Sequence, residues 1–401
     1  MWFEYLHLCI QENIRKLKII TLYEKEINQL ASTPALPGGG AEKVLIDILK
    51  NFDYASYEVT LFLEYKEGVY LNDVPEEVRI LALHSQNTIW FERFHRVLRI
   101  FHSYVLFHTL VYKYMFMKLL KGEQFDTIVS FMEGAAVKFH SYIIHKANNN
   151  LSWVHIDLKQ KHWSLDFFRN EKDEFRVYRK MDKIVFVSED VKRMFLELYA
   201  IENDKCKVIY NLIDKNVIQR LAVSNNAIKR KFTICMVGRL NRQKRYDRAL
   251  KAAKWLKSDG YDFDLWIIGE GSLEKPLKAM SHGYGMDDRV HFLGFRKPSY
   301  PYMKEADIYL NTSEAEGYPL VVCEALCLGL AIVATDISGA SEILAGSEYG
   351  LLVSEKDEDI YKGVKRLMDD ASLREKYRAK ALQRAEMFDV PTTMAQIYKI
   401  L

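Results

Sequence analysis

The sequence predicts an α/β protein built as two Rossmann-like, doubly wound parallel-sheet lobes that face each other across a cleft. Three observations carry this reading. Strand-like and helix-like segments alternate along most of the chain. The strand-like segments are apolar throughout instead of at every second residue, as strands covered by helices on both faces must be. The rhythm also breaks in a polar stretch near the middle and then restarts, in a chain of 401 residues that suits two domains.

Each element has its own warrant. The first strand is predicted at 18–23 (KIITLY), and a helix at 41–50 follows from Val44, Leu45, Ile48 and Leu49 at helical spacing. Further strands are expected at 57–63, 78–83, 125–131, 151–156 and 183–188, rich in β-branched and aromatic residues; 207–210 (KVIY) then leads into a polar stretch. A long helical stretch is expected over 88–121. Residues 221–231 (LAVSNNAIKRK) read as a linker. From Phe232 the alternation resumes, with strands FTICMVG, FDLWIIG, VHFLGF, DIYLNTS and AIVATD. Helices are expected at 245–257, 273–280, near Tyr302, from Leu320, over 357–385 and from Thr392 to the end. The boundary is placed at Asp214, giving units 1–213, 214–385 and a last helix, 386–401, that crosses back onto the first lobe.

Composition narrows the function. Apolar residues are 49% and charged residues 28%, as in an ordinary globular protein. A net charge of +3 offers nothing to nucleic acid. The five cysteines form no C-x-x-C pair, which fits a reducing compartment. Cys323 and Cys327, four apart on one helix, read as small core side chains. The start MWFEYLHLCI has no basic region, so no export signal is expected. No uncharged apolar run reaches the roughly 20 residues that span a bilayer. A cytoplasmic protein is expected, with a peripheral contact at the inner face of the membrane as a further expectation.

Ligands of open α/β sheets bind beyond the carboxyl ends of strands, so chemistry is sought in the loops there. The strongest motif is NTSEAEGYPLVVCEALCLG, 311–329. Glu316 lies in a loop after a strand, and Glu324 lies about a turn into the following helix. Gly317 permits close backbone approach, Tyr318 stands beside it, and Pro319 suits the first helical turn. The N–H groups of Leu320 and Val321 then point out of the helix N-terminus, where an anion such as a diphosphate is stabilised. The second motif, MVGRLNRQKRYDRAL, places Gly238 at a strand end and Arg239 and Lys244 in the next loop, where cations can neutralise a leaving diphosphate. The third, WIIGEGSLEKPL, has Gly269 and Gly271 but no third glycine; Gly269 is read as letting the loop pass near a bound nucleotide. The fourth, GGGAEKV, puts Gly39 and Gly40 at a helix start that can cradle a phosphate or sugar. In the first lobe FMEGAAVKF offers Glu133, Gly134 and Lys138, and WVHID offers His155 and Asp157. Asp262-Phe263-Asp264 spells the D-x-D of metal-dependent sugar transferases, but it precedes a strand and so reads as surface.

Taken together, GGGAEKV, FMEG, WVH, VSEDVKRMF, VIYNLID, VGRLNRQKR, IIGEGSLEKPL, VHFLGF, SEAEGYPLVVCEAL and VATDISGASEIL resemble the retaining GT-B glycosyltransferases of family four (glycosyl transferases group 1), of the kind that makes bacterial polysaccharide and capsule. The resemblance covers nearly the whole chain. It implies a hexosyltransferase with an acceptor-binding first lobe and a nucleotide-sugar-binding second lobe. Arg239 and Lys244 would hold the donor diphosphate, Glu316 the sugar hydroxyls and Glu324 the ribose. The backbone around Phe295 would meet the base. Gly39 and Gly40 would lie against the donor phosphates or the acceptor, and His155 near the sugar 6-hydroxyl. No cofactor is implied beyond the donor, a UDP-sugar by default with GDP next, and no metal. The acceptor would be a saccharide or lipid-linked saccharide.

Two features depart from that pattern. Residues 24–37 intervene between the first strand and the glycine loop, and Leu330 and Ala331 replace a small residue and proline. Segment 88–121 carries six Lys or Arg, one acidic residue and nine aromatics; it can lie on a membrane surface or pack on the first sheet. A nucleotide-sugar epimerase, a phosphorylase of the same fold, and a two-lobed binding protein without chemistry stay open as alternatives.

Overall fold

The computed structural model describes residues 17–23, 39–85, 104–159, 162–223 and 231–401. The expected insertion at 24–37 and the first part of the long helical stretch, 88–103, lie outside the described residues. Seven parallel strands form the first sheet: β1 (Leu17–Tyr23), β2 (Tyr57–Tyr65), β3 (Arg79–His84), β4 (Thr127–Ser130), β5 (Asn149–Val154), β6 (Lys183–Phe186) and β7 (Cys206–Val208). Their spatial order is β3-β2-β1-β4-β5-β6-β7. Six parallel strands form the second: β8 (Phe232–Val237), β9 (Phe263–Ile268), β10 (Val290–Gly294), β11 (Ile308–Asn311), β12 (Ala331–Thr335) and β13 (Leu351–Val353). Their order is β10-β9-β8-β11-β12-β13. In each sheet the order reverses beside the first strand, between β1 and β4 and between β8 and β11. These are the switch points where a crevice opens at the strand ends.

Five helices matter below: α1 (Gly40–Lys50), α2 (Tyr246–Ser258), α3 (Tyr300–Glu305), α4 (Leu320–Cys327) and α5 (Val390–Tyr398). α1 follows from its sequence: Val44, Leu45, Ile48 and Leu49 bury one stripe, and Glu42 accepts the Gly39 N–H at 3.0 Å to cap the first turn. α4 is buried nearly all round, and Cys323 and Cys327 are fully buried in it, as small core side chains.

The lobes share a core. One buried cluster runs from Val59, Trp153 and Phe186 of the first lobe into Tyr318, Leu320 and Leu326 of the second. At one end of the cleft Glu342 accepts the backbone N–H groups of Glu189 and Asp190 at 3.1 and 3.3 Å, capping a first-lobe helix from the second lobe. At the other end Lys297 pairs with Asp73 and donates to the Val69 carbonyl at 3.2 Å. α5 lies on the first lobe, with the Tyr398 ring stacked on Tyr57 at 5.3 Å. The Thr127 hydroxyl donates to the Leu401 carbonyl at 2.7 Å, and the Asn149 amide donates to that of Ile400 at 2.8 Å.

Several expectations are corrected. A helix, Lys215–Leu221, fills the polar stretch before the linker and runs into its first residue. The helix Ser338–Leu344 and the strand β13 were not expected. The single helix over 357–385 is two, Asp357–Asp369 and Ala371–Ala385, split at Asp370, whose carboxylate accepts the Leu373 N–H at 2.8 Å. Within 104–119 the stretch is not one regular helix; a π-helical turn, His108–Tyr112, separates two α segments. Among the described residues no helix is long and apolar enough to cross a membrane.

Candidate functional site

The second lobe's switch point gathers the residues that the sequence singled out. A crevice at the carboxyl ends of β8 and β11 is lined by Lys244, Tyr246, Asn311, Ser313 and Val321. Lys244 is set by its backbone: Asn241 accepts its N–H at 3.1 Å, and Thr312 donates to its carbonyl at 2.9 Å. Its ammonium pairs with Glu316, whose same carboxylate oxygen accepts the Ser313 hydroxyl at 2.7 Å. Arg239 stands close by, its guanidinium 3.6 Å from where a Cβ on Gly39 would lie. Two cations and a carboxylate thus converge on the rim where α1 and α4 begin.

The glycines have distinct reasons. Gly238 has φ +153°, and the Tyr246 hydroxyl donates to its carbonyl at 3.0 Å. A Cβ on Gly269 would lie 2.0 Å from the Gly238 carbonyl oxygen, so this glycine lets two strand ends pass one another inside the lobe. That is a packing reason within the protein. A Cβ on Gly40 would lie 3.2 Å from the Leu320 side chain. One on Gly317 would lie 1.9 Å from the His155 carbonyl oxygen. Gly317 is therefore the point where the two lobes touch backbone to backbone.

α4 starts at Leu320, with Pro319 as its cap residue and not in its first turn. Among the described residues no hydrogen bond engages the N–H of Leu320 or Val321, so the tip of α4 presents two donors. The Tyr318 ring is buried against Tyr210 at 5.4 Å. Glu324 is almost fully buried and accepts from the Tyr300 hydroxyl at 3.3 Å. Phe295 is half exposed after β10, its N–H held by Glu270 at 3.2 Å.

On the opposite wall Glu133 is buried and accepts the backbone N–H groups of both His155 and Ile156, the latter at 3.0 Å. This fixes the WVHI turn. Burial pulls the His155 imidazole down to about 4 against a hydrogen bond to the Phe131 backbone, so the ring is neutral at pH 7. Its Nε2 is buried without a hydrogen-bond partner. Lys138 lies over the Phe168 ring at 5.0 Å, and Asp157 accepts the Lys159 N–H at 2.9 Å, so both serve their own neighbourhood. Asp262 pairs with Lys231 and Arg289 at 2.8 and 3.0 Å. Asp264, expected at the surface with it, is instead buried in β9 and pairs with His291 at 3.1 Å.

Sequence reasoning missed four residues of this region: Lys43, Tyr300, Asn311 and Ser313. Asn311 is buried, accepts the Ser313 N–H at 2.9 Å and leaves its Nδ2 without a partner. Asn311 and Ser313 lie inside a motif already singled out, so their place after β11 was a usable signal. Lys43 also lies inside a motif already singled out, GGGAEKV, but its pairing with Glu324, like that of Tyr300, comes only from the tertiary fold.

Two facing parallel sheets with a polar site at the second switch point define the GT-B fold of sugar-transferring enzymes. The chain matches the family model for Glycosyltransferase Family 4 over residues 38–217 and that for Glycosyl transferases group 1 over 218–384. It belongs to the family 4 glycosyltransferases, a retaining family. It is 35% identical over 215 residues to a Campylobacter jejuni N-acetylgalactosamine-N,N'-diacetylbacillosaminyl-diphospho-undecaprenol 4-alpha-N-acetylgalactosaminyltransferase. That match spans 53% of this chain and 58% of the relative. Among solved structures it is similar to Anabaena Alr3699/HepE in complex with UDP and glucose, with TM-score 0.74 and 20% identity over 96% of this chain and 98% of that one. It is also similar to WaaG, a glycosyltransferase involved in lipopolysaccharide biosynthesis, with TM-score 0.69 and 16% identity over 96% and 99% of the two chains.

Proposed function

We propose that this glycosyltransferase moves a hexose-type sugar from a UDP-sugar to a saccharide or lipid-linked saccharide acceptor in cell-surface polysaccharide synthesis, with retention at the anomeric carbon. The observation that carries the reading is the convergence of Arg239, Lys244, Glu316 and the tip of α4 at one crevice, with neutral His155 on the facing wall. A sugar on a diphosphate presents that set of demands: two negative phosphates, several hydroxyls and one reacting carbon. Arg239, Lys244 and the N–H groups of Leu320 and Val321 take the diphosphate. Glu316 takes sugar hydroxyls, Glu324 the ribose, and the backbone near Phe295 the base. His155 faces the sugar 6-hydroxyl through its unpaired Nε2. Gly39 and Gly40 let α1 approach the phosphates or the acceptor. We keep the division of labour at Asp214, acceptor before it and donor after it.

The reaction balances without a protein nucleophile. The bond from the anomeric carbon to the diphosphate oxygen breaks as the acceptor oxygen bonds to the same face. The acceptor proton passes to the departing phosphate oxygen, while Arg239 and Lys244 stabilise its charge. The two cations supply what a divalent ion would, so turnover is expected to persist in EDTA.

UDP as the nucleotide is supported by the Anabaena structure, which holds UDP and glucose. A lipid-linked acceptor is supported by the Campylobacter relative, named for a diphospho-undecaprenol saccharide. Leu106, Leu110 and Tyr114 are exposed on the segment that also carries Lys113, Lys118 and Lys121, a face suited to an anionic bilayer. The test is a thermal-shift screen of nucleotide sugars, followed by transfer to lipid-linked saccharides in anionic liposomes with EDTA. A UDP-sugar that raises the melting temperature and is consumed with an α-linked product supports the reading. No shift and no consumption with any nucleotide sugar refutes it.

A further inference from the structure

Glu324 is approached from the other lobe. Lys43 projects from α1 and brings its ammonium to 3.5 Å from Glu324 Oε1. The Tyr300 hydroxyl donates to the same oxygen. Oε2 makes no hydrogen bond among the described residues. Lys43 is itself fixed, since Asp47, one turn along α1, accepts from it at 3.0 Å. A lysine is seldom spent on a buried carboxylate across a cleft for stability alone, because desolvating two charges cancels most of their attraction.

We propose that Lys43 is a positioning residue for nucleoside recognition: from the acceptor lobe it holds Glu324 as a charge-paired anion through Oε1, leaves Oε2 to the ribose hydroxyls, and so makes ribose binding conditional on closure of the lobes. The proposal rests on Glu324 being the ribose carboxylate. A carboxylate accepts from two hydroxyls; a protonated carboxyl turns one of those positions into a donor. The burial of Glu324 pushes its carboxyl above the usual range, and Lys43 is the largest pull the other way. The other groups that face it are weaker or neutral: Asp47 on α1, Tyr300 on α3, Tyr70 in the turn after β2, Tyr309 on β11, and Cys323 and Cys327 on its own helix. The turn that carries Tyr70 is held beside the same cleft edge, with Lys297 4.7 Å over the Tyr70 ring.

The test is UDP titration by calorimetry, over about pH 6 to 8.5, on wild type, Lys43→Met, Lys43→Arg and Glu324→Gln. Glu324→Gln is expected to weaken UDP roughly tenfold or more, the loss typical of hydrogen bonds to a charged group. If it binds UDP as wild type does, the ribose reading itself fails, whatever Lys43 does. With that reading intact, Lys43→Met is expected to weaken UDP about tenfold at neutral pH. Its affinity relative to wild type should recover as pH rises, because Glu324 then ionises only at higher pH. Lys43→Arg should recover most of the affinity and follow the wild-type profile. Lys43→Gln carries the same test if the Met variant folds poorly by circular dichroism. Wild-type affinity at every pH in the Lys43 variants overturns the proposal. So does tighter UDP binding, which would mean that the lysine competes with the ribose.

Discussion

At the scale of single residues the site is a set of charges that already answer one another. Lys244 meets Glu316, Lys43 meets Glu324, and Glu133 meets two backbone donors. On the proposed donor site, Lys244→Ala removes one of the two cations that would meet the departing diphosphate. Turnover should fall about 10²–10³-fold, by analogy with loss of an oxyanion donor, with the circular-dichroism spectrum unchanged. Turnover like that of wild type would remove Lys244 from the chemistry. A second prediction concerns pH. Burial holds both His140 and His155 near 4, below the ordinary 6.5. The unfolded chain therefore takes up these protons first. Stability should be full above about pH 6.5 and fall as pH drops toward about 4, by roughly 2–3 kcal/mol for each ring. His140 bridges Ser130 and Asn150 at 3.2 and 3.0 Å. His140→Gln should show a smaller drop in melting temperature between about pH 7.5 and 5 than wild type; an equal drop would place the titration elsewhere.

At the scale of elements, what the sequence disclosed follows from how strong each pattern is. Strands buried on both faces announce themselves, and those of this kind lie within a few residues of an apolar run. β13 has only three residues, and the helix Ser338–Leu344 has Ser, Gly and Ala in its first turn, so neither carries a period that a reader can see. The split at Asp370 was invisible because an aspartate inside a helical pattern caps a new helix only if the chain turns there. Glu316, Glu324, Arg239 and Lys244 were legible because they stand where strand, glycine and helix follow in order. The pairing of Lys43 was not, since its partner is far along the chain. α5 supplies the prediction at this scale. Tyr398 stacks on Tyr57, meets Phe52 edge-on at 5.4 Å and accepts the Asp53 N–H at 2.8 Å. Tyr398→Ala should cost roughly 2–4 kcal/mol and lower the melting temperature by about 4–10 °C. Tyr398→Phe should cost about 1 kcal/mol. Equal losses in both would shift the weight from the ring to the hydroxyl.

At the scale of the whole molecule the lobes meet through a shared apolar core, a backbone-to-backbone contact and charged ties near the ends of the cleft. Gly317 on the His155 carbonyl is the backbone contact. Gly317→Ala forces a methyl into backbone, and the cheapest relief is to part the lobes. Small-angle scattering should then show a larger radius of gyration, with donor KM raised more than the melting temperature is lowered. An unchanged radius with wild-type KM would show that the loop yields instead. Two of the ties, Glu342 on Glu189 and Asp190, and Lys297 on Asp73, are charges set against a helix end or one another near the surface. Dissolved salt reaches such contacts: electrostatic reach shrinks from about 10 Å at 0.1 M to about 3 Å at 1 M. The two halves of this protein should consequently loosen their grip as ionic strength climbs, trading donor retention for quicker discharge of spent nucleotide.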